Sequence, residues 1–155
     1  MINEIIEITP IGYVERSSNN DTRNRQIISK IIINKDLSKE LDRIEEFSHI
    51  FIIYWLDRVI KPDKPVLFHL SEKQRVRPIG IFATRAPIRP NPIALTLVEL
   101  IKHEDNILEV KGLDAYDKSP VLDIKPYPDW EHGVLQTIVE FKIPVWLKSL
   151  LKENH

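Results

Sequence analysis

Short apolar runs separated by turn-forming and charged residues dominate the chain. The β-branched residues of 27–33 suit a strand. Residues 48–56 are apolar at nearly every position, which predicts a strand buried on both faces. A strand over 93–101 and a turn at 103–106 predict an antiparallel partner over 107–113. Further strands are predicted at 79–83, 121–124 and 134–141.

Two stretches have helical periodicity. After Asp36, a suitable N-cap, the residues Leu37, Leu41 and Ile44 recur at i, i+4 and i+7. A second helix is predicted after Pro144, where the apolar face comprises Trp146, Leu147, Leu150 and Leu151. Many strands at short spacing, with only two helices and no alternation of strand and helix, predict a mainly β fold. We expect a largely antiparallel barrel or a strongly curled sheet.

The bulk properties are those of one globular domain. A chain of 155 residues predicts a single domain over 1–155, without an additional C-terminal domain. No apolar run approaches the roughly 20 residues needed to cross a bilayer. The first residues contain no basic segment followed by a small-residue cleavage site, and the chain has no cysteine. We therefore expect a cytoplasmic protein without disulfides or thiolate metal sites.

Several functional motifs are absent from the sequence. A dinucleotide-binding turn requires a G-x-G pattern, and a phosphate-binding loop requires a lysine after a glycine-rich turn; the chain has neither. Its five histidines show no close metal-ligand spacing, so no metal site is predicted. The general motifs therefore indicate only a β-rich domain, and the function has to be inferred from other segments of the sequence.

Positive charge is concentrated in one segment of a chain with a net charge of −1. The segment between Lys73 and Pro90 has no acidic residue and five basic ones: Lys73, Arg75, Arg77, Arg85 and Arg89. Such a segment on a mildly acidic body suits local phosphate binding, and it also suits a solvated loop.

The loop that follows is stiffened by proline. Pro87, Pro90 and Pro92 lie within six residues and force their neighbours towards extended geometry. A rigid loop loses little entropy on binding, which favours a ligand-facing role, although a simple barrel connection has the same pattern. The polar side chains that it presents are Arg85, Arg89 and Asn91.

Acidic residues next to strands form the third group of candidates. Asp123 lies within an apolar strand, where a carboxylate needs a cationic or N–H partner. Arg85, Arg89 and Lys125 are candidate partners, and the pair could be structural or functional. A turn is predicted at 117–120. Tyr54 and Trp55 are interpreted as core residues, whereas Asp57 and Arg58 could line a pocket at the strand end.

Taken in order, three segments resemble the TrmO (YaeB-like) family. They are F-S-H-I-F-I-I-Y-W-L from 47, G-I-F-A-T-R-A-P-I-R-P-N-P-I-A-L from 80, and D-K-S-P-V-L-D-I-K-P-Y from 117. The similarity extends over about residues 10–129. The chain departs from the family pattern at several positions, including Asn24, where the family usually has proline, and Asp57, where it frequently has histidine.

The resemblance implies a single-sheet β-barrel that binds S-adenosylmethionine, usually as a homodimer. It also implies methyl transfer to N6 of N6-threonylcarbamoyladenosine at position 37 of tRNA. Carried over by motif, the cofactor contacts are Asn24, Arg25, Gln26, Asp57, Arg58, Arg85, Leu95, Asp117, Lys118, Ser119 and Pro120. The residues expected to contact RNA are Arg75, Arg77, Arg89 and Asn91.

The expected reaction needs help at the acceptor nitrogen, because a carbamoylated amine is a poor nucleophile. Asp117 or Asp123 is a candidate base, and Arg85 is a candidate for stabilising developing negative charge. Two other functions remain open. The chain could methylate a small molecule or a protein, or it could be a non-enzymatic barrel that binds S-adenosylmethionine as a sensor.

Overall fold

The computed structural model describes residues 5–16, 24–60, 79–127 and 144, together with the backbone of 67–68. The strands in this part of the chain are β1 (Gly12–Glu15), β2 (Ile28–Ile33), β3 (His49–Trp55), β4 (Leu67–Phe68), β5 (Ile79–Gly80), β6 (Ile93–Glu104), β7 (Ile107–Lys111) and β8 (Pro120–Tyr127). Short 3-10 helices span Lys35–Leu41, Ile44–Glu46 and Ile81–Ala83. The strand predicted at 134–141 and the helix predicted after Pro144 lie outside the described residues.

One sheet closes on itself. Its strand order is β1-β2-β7-β6-β3-β8, and β8 pairs with β1 to complete the barrel. Every neighbouring pair is antiparallel. Strands β4 and β5 form a separate two-stranded sheet. The prediction of a largely antiparallel, single-sheet β-barrel is confirmed, and closure removes the unpaired edges that an open sheet would expose.

The inward-facing side chains form the core. In β3 the buried residues are Ile50, Ile52 and Tyr54, and the residues between them are half-buried. The prediction that both faces of this strand are buried is therefore wrong for the outer face. A small barrel is filled from one face of its sheet only, since period-two alternation sends every second side chain outward. The other large core residues are Val14, Ile31, Ile33, Leu41, Val98, Leu108, Val110, Leu113 and Val121.

Close approach of β1 and β2 explains the glycine at the start of β1. A Cβ atom added to Gly12 would overlap the backbone carbonyl oxygen of Ile32. That oxygen belongs to the backbone of a paired strand and cannot move without disturbing the ladder. Any larger residue at this position would push β1 away from β2.

The stretch predicted as a helix from Asp36 onward forms two 3-10 helices. The first begins at Lys35, with Asn34 as the preceding residue and no side-chain cap, and Asp36 lies in its first turn. Arg43, with a φ of 71°, separates the two helices. This left-handed residue prevents one continuous helix, while the apolar residues at the predicted spacing still pack onto the core: Leu37, Leu41 and Ile44.

The strand predicted at 79–83 ends early. Pairing stops at Gly80, and residues 81–83 form a 3-10 turn. The Thr84 hydroxyl and the Thr84 amide both donate to the carbonyl oxygen of Ile81, at 2.8 and 3.1 Å. This local capping competes with strand pairing and begins the proline-rich loop. No helix in the described part of the chain has the length and apolar character needed to cross a bilayer.

The antiparallel pairing determines which loops meet. Because β3 runs against both β6 and β8, its last residues lie beside the first residues of those two strands. We call this end of the barrel the site end. The opposite end, where Asp105 and Asn106 turn β6 into β7, is called the hairpin end.

Candidate functional site

Two segments identified from the sequence meet at the site end. Ser119 donates through Oγ to Oδ1 of Asp57 at 3.1 Å, and the Arg58 guanidinium donates to the backbone carbonyl of Asp117 at 3.2 Å. The bend itself depends on Lys118, whose φ is 67° and whose amide donates to the Val14 carbonyl at 2.7 Å. The residues after β3 and the bend before β8 therefore form one surface.

A buried arginine holds the loop that leads into this bend. Arg16 is 6% exposed, and its guanidinium donates to the carbonyl oxygens of Leu113 and Ala115 at 2.8 and 3.3 Å. Its backbone amide donates to Oδ1 of Asp117 at 2.9 Å. One residue at the end of β1 thus positions three residues of a loop about a hundred positions away.

Asp114 accepts three hydrogen bonds from three different parts of the barrel. Its Oδ1 atom accepts from the hydroxyls of Tyr54 at 2.9 Å and Thr96 at 2.6 Å. Its Oδ2 atom pairs with the Arg25 guanidinium at 3.2 Å. Burial, followed by the negative charge of Asp114, raises the pKa of the Tyr54 hydroxyl, so this hydroxyl remains a donor. These contacts orient the carboxylate towards the cleft.

Gly112 provides the turn that brings this carboxylate and Arg25 together. Its φ of 97° lies in the left-handed region that favours glycine, directly after the end of β7. Its carbonyl oxygen accepts a hydrogen bond of 2.6 Å from the Arg25 guanidinium. Asn24 and Gln26 flank this arginine, and the Gln26 amide donates to the Asn24 side chain at 3.0 Å. All three residues are exposed.

Aromatic rings cover two of the cations at the site end. The Arg58 guanidinium lies 4.4 Å from the centroid of the Tyr116 ring, and the Lys118 ammonium lies 4.4 Å from the centroid of the Tyr13 ring. Tyr116 is 38% exposed, so part of its ring surface remains accessible. A flat guanidinium beside an aromatic ring is a surface on which nucleobases stack.

These elements surround a small cleft with an internal volume of about 40 Å³. A pocket that encloses a nucleoside-sized ligand has roughly 300–1,000 Å³. The cleft therefore holds only part of such a ligand, and the rest would lie over the exposed residues around it. The lining residues are Tyr54, Leu56, Asp57, Arg58, Val59, Asp114, Ala115, Tyr116 and Ser119.

The proline-rich loop adjoins the same strand end from the other side. The Leu56 amide donates to the Pro92 carbonyl at 2.8 Å, next to Asp57. Arg85 and Leu95, both expected cofactor contacts, lie on the outer side of β6, where the Arg85 guanidinium is 3.5 Å from the Leu95 carbonyl. The structure thus divides the expected cofactor residues into a group at the cleft and a pair on the outer wall.

The residues expected to contact RNA are also divided. The Arg89 guanidinium donates to the carbonyl oxygens of Thr84 and Ala86 at 3.1 and 3.2 Å, and so it braces the loop. Asn91 is exposed just before β6. Arg75 and Arg77 lie outside the described residues.

Asp123 has the cationic partner that the sequence predicted. Its Oδ2 atom lies 3.0 Å from the Lys125 ammonium, and its Oδ1 atom accepts from the Ile124 amide at 2.9 Å. Asp123 is paired across the sheet with Ile53, whose side chain alternates with the buried residues of β3. The carboxylate is therefore on the outer face, whereas Asp117 is on the bend beside the cleft.

Three residues of the site were missed from the sequence, and a fourth was correctly assigned to the core without its second role. Arg16, Thr96 and Asp114 were not singled out, and Tyr54 was assigned to the core. Tyr54 is indeed buried, at 2% exposed, but its hydroxyl serves the site. A signal was available, since a buried tyrosine hydroxyl needs a polar partner. The identity of that partner depends on contacts across the barrel.

Comparison with known proteins assigns the chain to a family. The family model described as the tRNA-methyltransferase O N-terminal domain matches residues 16–130. The chain belongs to this family. The matched residues include β2, β3, the proline-rich loop and the bend before β8.

Relatives within the family differ in what their names state. An S-adenosyl-L-methionine-binding protein of Archaeoglobus fulgidus is 38% identical over 126 residues, which cover 77% of this chain and 88% of that protein. The tRNA (adenine(37)-N6)-methyltransferase of Homo sapiens is 32% identical over 157 residues, covering 86% of this chain but only 33% of that protein. The crystal structure of TrmO from Pseudomonas aeruginosa matches 92% of this chain and 62% of its own length, with a TM-score of 0.67 and 23% identity. That structural likeness concerns the fold.

Proposed function

We propose that this protein is an S-adenosylmethionine-dependent methyltransferase that acts on N6 of N6-threonylcarbamoyladenosine at position 37 of tRNA. One observation carries the proposal. Two segments that the family resemblance assigns to the cofactor, Asp57-Arg58 and the bend at Asp117–Ser119, are more than fifty residues apart, yet they bond directly to each other. Together they line or adjoin one cleft. A relative of this chain, from Archaeoglobus fulgidus, is named for binding the same cofactor.

The residues of the cleft suit the chemistry of this cofactor. The carboxylates of Asp57 and Asp114 provide acceptors for hydroxyl and ammonium groups, and they favour a nearby positive charge. Leu56, Val59 and Ala115 provide an apolar floor. The cofactor, when bound, supplies a reactive sulfonium methyl group, so the protein contributes mainly by aligning the acceptor with it.

We assign the role of base at the acceptor nitrogen to Asp117. Its carboxylate lies on the bend beside the cleft, whereas Asp123 lies on the outer face paired with Lys125. Because Asp117 is also an expected cofactor contact, the test of its role as base is that Asp117→Asn lowers the rate of methyl transfer at saturating S-adenosylmethionine. Asp123→Asn tests the other candidate. If that variant loses methyl transfer, Asp123 and not Asp117 is the base. By the same criterion Arg85, which lies on the outer wall beside Leu95, is not assigned a role at the acceptor nitrogen.

Binding of tRNA is proposed to use the basic segment and the adjoining loop. Arg85 and Asn91 are exposed in the proline-rich loop, whose Pro92 carbonyl bonds to the Leu56 amide at the site end. If Arg75 and Arg77 bind phosphates, affinity for tRNA should fall steeply with salt. Arg77→Ala should reduce the slope of log affinity against log salt by about one phosphate contact. An unchanged slope would contradict a phosphate contact at this position.

A homodimer is proposed as the working form, in a cytoplasmic protein. Cross-strand neighbours on the outer face of β6 and β3 are apolar, and Leu95 and Leu97 are 44% and 40% exposed there. Next to them, the Phe51 and Tyr127 rings make an edge-to-face contact with centroids 5.7 Å apart. Contiguous apolar surface of this kind favours association. Leu97→Lys should convert a dimer to a monomer in sedimentation experiments, and an unchanged dimer would contradict this interface.

The decisive experiment for the function is nucleoside mass spectrometry of tRNA. Cells that lack the protein should lose N6-methyl-N6-threonylcarbamoyladenosine, and purified protein with S-adenosylmethionine should restore it on the extracted tRNA. Restoration should fail on tRNA that lacks the threonylcarbamoyl group. If the protein binds S-adenosylmethionine but restores no methyl group, the tRNA activity is excluded.

A second candidate is a barrel that binds S-adenosylmethionine but has another acceptor or none. It is favoured by the name of the archaeal relative, an S-adenosyl-L-methionine-binding protein, which states binding and no reaction. Incubation with radiolabelled S-adenosylmethionine and total cell extract separates the alternatives. Label transferred to a metabolite or a protein would indicate another acceptor, and tight binding without any transfer would indicate a sensor.

A further inference from the structure

Lys118 occupies a backbone conformation that suits few residues other than glycine. Its φ is 67°, in the left-handed region that glycine adopts readily and that most other residues avoid. Hydrogen bonds hold the bend on both sides of this residue. The Lys118 amide donates to the Val14 carbonyl at 2.7 Å, and the Val14 amide donates to the Ser119 carbonyl at 3.0 Å. Glycine would form the same bend with less strain, so the strain indicates that the lysine side chain itself is used.

The Lys118 side chain is held on the outer wall of the barrel and not in the cleft. Its ammonium lies 4.4 Å from the centroid of the Tyr13 ring. Tyr13 is paired with Pro120, the first residue of β8, and is 37% exposed on the outer face of β1. A cation over an aromatic face is attracted by the ring, which orders the lysine stem before any ligand binds. Lys118 does not line the cleft, so its ammonium is separate from the groups that surround the cofactor.

This ammonium pairs with no carboxylate in the part of the chain that the structure describes. The contrast is with Arg43, another basic residue in the left-handed region, which pairs with Glu46 at 2.7 Å. An ammonium has three N–H donors, and Lys118 is exposed to solvent. Lys118 therefore presents an ordered positive charge that an anionic ligand can reach.

The residue before Lys118 indicates which ligand this ammonium meets. Asp117 lies on the same bend and is proposed to act at the acceptor nitrogen, and its Oδ1 atom is fixed by the Arg16 amide at 2.9 Å. The threonyl group joined to that nitrogen through a carbonyl ends in a carboxylate, and phosphates flank the ribose of the same nucleoside. An acceptor seated at Asp117 therefore brings anionic oxygens towards Lys118. A lysine binds either kind of oxygen as a compact point charge.

We infer that the Lys118 ammonium, held on the Tyr13 ring, binds an anionic oxygen of the RNA acceptor next to the nucleoside that is methylated. That oxygen belongs to the threonyl carboxylate or to a flanking phosphate. The inference rests on the proposed function and extends the acceptor site from the cleft onto the outer wall at β1. Lys118 contributes to the affinity for RNA and not to the affinity for the cofactor.

The test compares RNA hairpins that differ in one anion. One anticodon stem-loop carries N6-threonylcarbamoyladenosine, the second carries the methyl ester of its carboxylate, and the third carries adenosine. Affinities of the full-length protein for each hairpin are measured at several salt concentrations, and the affinity for S-adenosylhomocysteine is measured separately. The variants are Lys118→Met, Lys118→Gly and Lys118→Arg. Lys39→Met, the same change at an exposed lysine of the 3-10 helix at the hairpin end, is the matched control.

Loss of the ammonium should weaken RNA binding alone. Lys118→Met and Lys118→Gly should each lower the affinity for the threonylcarbamoylated hairpin about tenfold, because a contact between charged groups is lost. Lys118→Arg should stay within about threefold, because it retains the charge. The control should bind every hairpin as the unmodified protein does, and no variant should change the affinity for S-adenosylhomocysteine. Lys118→Gly should unfold at a higher denaturant midpoint than Lys118→Met, because glycine adopts the left-handed bend without strain.

The three hairpins identify the source of the anion. If Lys118 binds the threonyl carboxylate, Lys118→Met should weaken only the hairpin in which that carboxylate is free. If Lys118 binds a phosphate, all three hairpins should weaken equally, and the slope of log affinity against log salt should fall by about one contact. Either result supports the inference.

Other outcomes overturn the inference and are distinguishable from failure of the proposed function. Unchanged RNA affinity in Lys118→Met and Lys118→Gly would leave the lysine as a cover for Tyr13. An equal loss of affinity for RNA and for S-adenosylhomocysteine would return Lys118 to the cofactor site, and an equal loss in the control would mean that the effect is not local. If the unmodified protein binds S-adenosylhomocysteine but none of the hairpins, the proposed tRNA function itself fails.

Discussion

The two ends of the barrel are held together in different ways. At the site end, buried groups bond over long sequence distances, as Arg16 does with Leu113 and as Tyr54 does with Asp114. At the hairpin end, charged groups pair mostly with near neighbours in the open, as Arg43 does with Glu46. The first arrangement costs stability unless every polar group is satisfied, whereas the second contributes little either way. A costly buried network concentrated at one end indicates where the molecule is shaped for binding.

The largest difference between the two ends is expected from an arginine substitution at each. Arg16→Met should reduce the free energy of unfolding by about 3 kcal/mol, because it leaves two buried carbonyl groups without their charged donor. Arg43→Met should produce no measurable change, because the Arg43–Glu46 pair is exposed. Denaturant unfolding of both variants measures this contrast. Similar midpoints for the two would show that the site end is not the more tightly bonded one.

A medium effect on binding is expected from Arg58. Its guanidinium covers Tyr116 and bonds to the Asp117 carbonyl, so Arg58→Ala should loosen the bend and lower S-adenosylmethionine affinity about tenfold. Its exposure predicts a melting temperature close to that of the unmodified protein. Lys102→Ala, at the hairpin end, removes an exposed ion pair and should leave affinity unchanged. A loss of affinity in both variants would mean that the effect is not local.

The smallest effect is a pH dependence at the hairpin end. Burial disfavours the charged form of His103, but hydrogen bonds to Glu45 and to the Asp105 carbonyl outweigh it and raise the pKa of the ring. The folded state therefore binds the proton more tightly than the unfolded chain. The resulting stabilisation is complete below the ordinary value of 6.5 and is lost as pH rises through the raised pKa. We expect less than about 1 kcal/mol.

His103→Gln checks this sign. Unfolding free energies measured between about pH 6 and 8 should decline with pH in the unmodified protein, and the decline should be smaller in the variant. The site end should not share this dependence, so cofactor affinity of the variant should follow that of the unmodified protein across the same range. A steeper decline in the variant would contradict the assignment to His103.

Most of the fold could be predicted from the sequence because it depends on local patterns. The β-branched run before Ile33 and the apolar run after Ser48 form strands where period and composition placed them. The predictions were wrong where a local interaction that competes with the strand or helix could not be recognised from the hydrophobic pattern. The Thr84 hydroxyl caps a turn at Ile81 that was assigned to a strand, and Arg43 in the left-handed region divides one predicted helix into two short ones.

The candidate site could be predicted only in part. Asp57, Arg58 and Ser119 were identified from their motifs, and the structure brings them together. Arg16 and Asp114 were not identified, because a charged residue at the end of a strand has no distinctive pattern of its own. Their roles come from partners that lie between 18 and 101 residues away along the chain.

The sequence by itself determined the alternation of strands and turns, a mainly β and largely antiparallel fold, and the family to which the chain belongs. These follow from side-chain period, turn chemistry and ordered motifs, all of which are local along the chain. Only the tertiary structure decided that Arg25 and Asp114 form an anchored pair at the cleft and that Arg85 and Asp123 lie on the outer wall. The closure and register of the barrel decide which side of its wall a charged side chain occupies and which distant group pairs with it. Neither can be read from the spacing of residues along the sequence.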